Sequence, residues 1–192
     1  FFPNINKGNF KLMDALHLIK KFAEQDNKTK KVRSDYDLNP KMERCNRPLT
    51  PAAVLVPLIL HQDNVTVMLT KRTKTLLHHP GQVSFPGGHV DPKDKSAKDA
   101  ALRETEEEVG INREHIEIIG ELDIYITRTG FSVTPVVGII NPPIEVMPDP
   151  IEVAEIFEVP ISFFMDYKNH QKHSREFAGT DRQFYAKAEM NV

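Results

Sequence analysis

The chain has 192 residues, 40% of them hydrophobic, which is enough for one catalytic domain with a sizeable core and a small appendage. Its formal net charge of −2 gives no general attraction to nucleic acid or to an anionic membrane, so an anionic ligand needs a local basic patch. A single cysteine, Cys45, excludes an internal disulfide, and no Cys/His cluster has zinc spacing. No apolar run approaches the roughly 20 residues needed to span a bilayer, and no basic segment leads into an apolar signal core. A soluble, cytoplasmic protein is therefore expected, without membrane or nucleic-acid partners. The chain starts at Phe1, with Met13 following late, which reads as a piece lacking its true start. Nothing in the sequence speaks to oligomeric state.

Leu12, Leu16, Ile19 and Phe22 recur at helical spacing and predict an amphipathic helix over 10–25. Residues 26–51 hold Pro40, Pro48 and Pro51 with little apolar periodicity, so they read as an irregular connector, and 1–50 as a unit ahead of the catalytic core. Ala52–Leu60 and Val65–Thr70 are aliphatic runs separated by Asp63-Asn64, the pattern of a hairpin. A short strand over 82–86 ends at Gly87-Gly88, where the chain is free to turn sharply or to bring its backbone close to a ligand.

A helix follows, with Ser96 and Asp99 at its start and Gly110 as its stop. Ala97, Ala101, Leu102, Thr105 and Val109 form its packing face, and the acidic residues are expected off that face. Strands are predicted over 116–126 and 133–140, and a last short helix from Pro160 to Met165. Alternating strands and helices without repeats imply a mixed α/β layer fold, an α+β arrangement of one mixed sheet flanked by helices.

Within the 97–109 helix, Glu104, Glu107 and Glu108 stand at i, i+3 and i+4, so one helical face carries three carboxylates able to meet at a common point. A lone run of this kind is ordinarily a solvated charged face. Here a glycine pair precedes it and Arg103 adjoins it, which favours a site for Mg2+ or Mn2+, hard cations that take oxygen ligands and keep waters for a phosphate-bearing substrate. Lys71, Arg72, Lys74, His78 and His79 form a basic patch just upstream; of these Arg72 is the candidate substrate contact, and the histidines read as structural or exposed.

These residues resemble the Nudix hydrolase box, Gly-x5-Glu-x7-Arg-Glu-U-x-Glu-Glu-x-Gly-U with U aliphatic. The match runs from Gly88 through Asp94 to Arg103-Glu104-Thr105-Glu106-Glu107-Glu108-Val109-Gly110-Ile111, with Asp94 in place of glutamate, one additional residue before Arg103, and Thr105 at an aliphatic position. The first two departures also occur in the coenzyme A diphosphatase branch. That branch has an upstream signature to which Met68-Leu69-Thr70-Lys71-Arg72-Thr73, Gly81 and Phe85-Pro86-Gly87-Gly88 are similar, with Leu77 where a second arginine stands. The likeness continues through Gly130-Phe131 and Thr134–Gly138 to Phe157–Pro160, so it spans residues 50 to 165. The family's later Trp-Gly-x-Thr-Ala segment has no counterpart, and the domain, residues 51–192, is expected to be incomplete at its C-terminal side.

The resemblance implies a sandwich of helices around a mixed sheet and hydrolysis of coenzyme A or an acyl-CoA at its diphosphate, giving 3',5'-ADP and (acyl-)4'-phosphopantetheine. It implies Glu104 and Glu108 as principal metal ligands, Glu107 as a further ligand or the base, Gly88 as a carbonyl ligand, Arg103 as the residue that orients the glutamates, and Arg72, Gly87 and Gly88 at the substrate. Glu152 is a reserve base. Another nucleoside diphosphate derivative, such as ADP-ribose, a dinucleotide or a nucleotide sugar, is the alternative substrate. A silent ligand-binding domain on the same scaffold is the alternative of another class.

Overall fold

The computed structural model describes residues 12–23, 31–76, 79–177 and 180–187. In chain order they form α1 (Leu12–Ala23), β1 (Val32–Ser34), β2 (Thr50–Leu60), β3 (Val65–Arg72), β4 (Val83–Ser84), β5 (Gly87–His89), α2 (Ala97–Val109), β6 (Ile116–Glu121), β7 (Ile124–Ile126), β8 (Phe131–Ile140), β9 (Val153–Pro160), α3 (Ile161–Met165), β10 (His170–Phe177) and β11 (Thr180–Lys187). Strands β1 to β9 make one mixed sheet in which β2 is central: it pairs parallel with β8 from Thr50↔Phe131 to Ile59↔Ile140, and antiparallel with both β3 and β5. β10 and β11 form a separate hairpin.

Period-two alternation explains the layers. Ala53, Leu55 and Ile59 of β2 join Met68, Val136 and Ile140 against Ala100, Ala101 and Val109 of α2. The intervening face carries Leu58, Val65, Val67, Val137 and Ile139 against Ala15 and Ile19 of α1. Burying each such Leu or Ile contributes roughly 1.5–3 kcal/mol, so apolar contact with the sheet, and not the polar composition of α2, holds that helix in place. The architecture is the expected α+β sheet flanked by helices, and no described helix is long and apolar enough to cross a membrane.

The β2–β3 hairpin and α2 match their predicted positions, while other elements differ for identifiable reasons. The predicted 116–126 strand is two strands, because the carboxylate of Asp123 accepts from the Lys31 backbone N–H and pairs with Arg33, drawing the chain toward β1. The glycine pair is not a turn: β5 lies along Ala52–Val54. The connector contains β1 and a buried Tyr36, whose hydroxyl accepts from the Cys45 N–H at 3.0 Å. β9 was not expected, since its glutamates obscure the alternation. The helix expected over 10–25 is described from Leu12 to Ala23, and its flanks, like Leu77 of the upstream motif and His78 of the basic patch, lie outside the described residues.

Candidate active site

α2 is fixed at both ends. The Ser96 hydroxyl accepts from the Asp99 N–H, and Gly110 closes the helix in the left-handed region at φ 74°. A Cβ on Gly110 would lie 2.8 Å from that of Met147. This close approach lets the Met147 and Asp149 N–H groups donate to the carbonyls of Val109 and Glu108, satisfying the last turn. The same loop then delivers Glu152, whose backbone carbonyl accepts from the Thr73 N–H while the Thr73 hydroxyl donates to the Ile151 carbonyl at 2.7 Å.

Five carboxylates and two arginines meet around β5. Arg103 Nη1 donates to Glu104 Oε1 and to Glu107 Oε2, both at 2.9 Å. Its Nε and Nη2 fork onto the two oxygens of Asp94, and Nη2 also donates to the His89 carbonyl. Glu108 is buried, contrary to the expectation that the acidic residues lie off the packing face. Its Oε2 accepts from the Gly87 N–H at 3.0 Å, and its Oε1 lies 3.4 Å from Arg72 Nη1. Arg72 in turn reaches Glu152 at 3.6 Å. β5 approaches β2 closely at Gly87 and α2 closely at Gly88. A Cβ on Gly88 would meet the Glu104 carboxylate at 2.7 Å, and one on Gly87, at φ 151°, would lie 2.4 Å from the Ala53 carbonyl oxygen.

Burial, reinforced by Glu152 and Glu104 and opposed by the Gly87 N–H and Arg72, pushes the Glu108 carboxyl up to about 7. Burial also raises Glu104 above the usual carboxylate range; Arg103 opposes the shift, and Glu107 and Glu152 add to it. The Arg103 fork holds Asp94 below that range.

A NUDIX domain model matches residues 49–178. The chain belongs to the Nudix family. It is 45% identical over 130 residues to a Photorhabdus laumondii protein named as an uncharacterized Nudix hydrolase, NudL, covering 68% of this chain and 69% of that one. An Enterobacter protein of the same name is 50% identical over 125 residues, covering 65% of each. The chain thus spans about two-thirds of the length of these relatives. Among solved structures, a Caenorhabditis elegans Ap4A hydrolase binary complex is similar at a TM-score of 0.50 and 25% identity, over 59% of this chain and 82% of that one.

As a Nudix hydrolase the protein is an enzyme that acts on a diphosphate, and the site places nearly all of the expected residues together. Glu104, Glu107 and Arg103 share one hydrogen-bonded cluster, and Gly88 packs against Glu104. The glutamates do not converge on one point: among the described residues no three His, Cys, Asp or Glu side chains are grouped as a metal site. Glu104 and Glu107 turn to Arg103, while Glu108 turns to Gly87 and Arg72. Their chemistry nonetheless fits a divalent cation, since the donors are hard oxygens and the neighbouring carboxylates add to the raised proton affinity of Glu104 and Glu108. Arg72 and the Gly87 N–H, expected at the substrate, are both engaged with Glu108. Lys71 pairs with Glu155, and His79 is exposed with its ring against Gln82.

Asp94 is the residue of the cluster whose partner the sequence did not disclose. It counted there as a departure from the box, whereas it supplies the anchor for Arg103. A carboxylate nine positions before an arginine, across a turn, was the available signal.

Proposed function

We propose that the protein hydrolyses coenzyme A or an acyl-CoA at the diphosphate, using Mg2+ or Mn2+ held by Glu104, Glu108 and the Gly88 carbonyl. The arrangement of Arg103 supports the assignment of roles: one guanidinium holds Glu104 and Glu107 at 2.9 Å while it is itself tied to Asp94 and the His89 carbonyl. A divalent cation supplies charge neutralisation at the phosphoryl oxygens and lowers the pKa of bound water.

The chain's own residues do the rest. Arg103 orients the glutamates and stays off the phosphates, because its donors are spent on protein acceptors. Glu107 is the most solvent-exposed of the glutamates that Arg103 and Arg72 hold, at 59% side-chain exposure. Its position suits it to take the proton from the attacking water. Arg72 offsets the charge of Glu108 and Glu152, and its guanidinium would contact the substrate phosphate.

The substrate class is supported by the Met68–Gly88 signature that precedes the box. A dinucleotide is the second reading, favoured by the likeness to the Ap4A hydrolase. The free Cys45 thiol agrees with a reducing compartment, the cytoplasm. The experiment is a product assay on CoA, dephospho-CoA, ADP-ribose and Ap4A with Mg2+ and with Mn2+. Formation of 3',5'-ADP and 4'-phosphopantetheine from CoA, with weaker use of the others, is expected; preferential cleavage of Ap4A transfers the assignment to dinucleotides. Glu104→Gln and Glu108→Gln should keep the fold and lose roughly 10²-fold or more in kcat. Full activity in either would remove it from the metal set.

A further inference from the structure

A cavity of about 850 Å3 lies between the 38–45 turn, the 127–130 turn and Gln183 of β11. None of its lining residues belongs to α2 or to the 87–94 segment, so it is separate from the carboxylate site. Its size falls within the roughly 300–1,000 Å3 of ordinary small-molecule pockets. In a chain of net charge −2 its lining is locally basic, with Lys41, Arg44 and Arg128 against the one carboxylate of Glu43.

Hydrogen bonds join these three segments. Asn39 Nδ2 donates to the Gln183 carbonyl and Asn39 Oδ1 accepts from the Gln183 N–H, at 2.9 and 2.8 Å, which fastens β11 to the turn. The Arg128 N–H donates to Asp35 at 2.7 Å, and a Cβ on Gly130 would lie 3.2 Å from Cys45 Sγ, which brings the second turn against the first. The Arg44 guanidinium sits 5.8 Å from the centroid of the Tyr36 ring, and that ring is buried and hydrogen-bonded to Cys45, so one cation is held in place before any ligand arrives. In the adjoining segment Asp35 accepts from the Tyr125 hydroxyl and the Arg128 backbone N–H, and Asp37 accepts from Ser34. Leu38 and Met42, both half-buried, supply an apolar wall.

We infer that this cavity is a second anion-binding site that takes a phosphorylated small molecule, with its phosphate against Lys41, Arg44 and Arg128 and its apolar part against Leu38 and Met42. Arginine suits this role because its planar fork matches phosphate oxygens bidentately. Exposed cations of this kind bind in a salt-dependent way.

The test is calorimetry on the full chain in EDTA, which prevents metal-dependent turnover, with adenosine 3',5'-bisphosphate as the probe and adenosine as its phosphate-free control. The bisphosphate should bind, more weakly as salt is raised, and adenosine should not. Arg44→Gln and Arg128→Gln should each weaken binding by roughly tenfold, with Lys41→Glu as an independent charge reversal at an exposed position. Glu104→Gln should leave it unchanged. Unchanged affinity in the Arg44→Gln/Arg128→Gln double variant overturns the inference, as does absence of binding in the parent chain. Loss of binding in Glu104→Gln alone also overturns it, by placing the probe at the carboxylate site, and leaves the hydrolase reading standing. That reading fails separately, if the parent chain with metal does not cleave CoA.

Discussion

Arg103 forks onto Asp94, Nε to Oδ1 at 3.0 Å and Nη2 to Oδ2 at 2.9 Å, with the Asp94 side chain only 3% exposed. Asp94 Oδ2 also accepts from the Asp91 N–H at 2.7 Å, which fixes the acid through the turn ahead of α2. Two parallel charge-assisted bonds set the plane of the guanidinium. With that plane set, Nη1 can serve Glu104 and Glu107 together.

Asp94→Asn should therefore impair catalysis without touching substrate. The amide keeps one acceptor and places a donor against Arg103, so the fork is lost and the glutamates lose their common tether. A fall in kcat of roughly tenfold or more, with KM little changed, is expected. The loss of stability should be about 1–3 kcal/mol by urea titration. Wild-type kcat in a folded Asp94→Asn protein would show that the fork is only structural.

The same pair sets a pH dependence of stability. The Arg103 hydrogen bonds hold the folded Asp94 carboxyl below the unfolded value of about 3.9. A depressed carboxylate contributes stability that is fully present above its unfolded pKa and is lost as pH falls through the folded one. The difference in urea midpoint between wild type and Asp94→Asn should hold steady from pH 7 to 5 and shrink below about pH 4. A difference that grows on acidification would contradict the pairing.

The two glycines before the box should separate stability from activity. At Gly87 an added Cβ meets backbone, 2.4 Å from the Ala53 oxygen and 2.6 Å from Val54 Cα, at a positive φ as well. Neither strand can yield without breaking the β2–β5 pairing, so Gly87→Ala should cost roughly 1–3 kcal/mol or more. At Gly88 the obstacle is the Glu104 carboxylate, the end of a side chain that can rotate away. Gly88→Ala should keep near-native stability and lose most turnover. Urea denaturation and turnover measured on both variants check this; equal loss of stability in the two would refute the distinction.

What the sequence made legible was local, and what it hid was long-range. The β2–β3 hairpin, the Ser96 cap and the Gly110 stop are written in neighbouring residues, and so is the spacing that puts Glu104, Glu107 and Glu108 on one side of α2. The burial of Glu108 is not, because its partners come from β5 and β3: the Gly87 N–H and Arg72 make an interior position tolerable for a carboxylate. Helical periodicity sets Glu108 in line with Ala101 and Thr105 on the buried face, but it does not disclose the partners that let a carboxylate stay there. Asp123 likewise divides the predicted 116–126 strand through Lys31 and Arg33, some 90 positions earlier, which claim its oxygens.

Thr73 ties Glu152 to the site, and this contact decides whether the 141–152 loop belongs to the catalytic apparatus. The Thr73 hydroxyl donates to the Ile151 carbonyl at 2.7 Å and its N–H to that of Glu152 at 2.9 Å, beside the Arg72 bridge to Glu108. Thr73→Val keeps the shape and the backbone bond but deletes the hydroxyl donor, a loss of about 0.5–1.5 kcal/mol. If Glu152 acts on substrate or its attacking water, the looser loop should lower kcat several-fold, and Glu152→Gln should lower it further. In the double variant the Thr73 change should then add little, because both act through one group. Full kcat in Glu152→Gln would instead leave the loop as a cover for the α2 terminus, with the Met147 and Asp149 hydrogen bonds as its purpose.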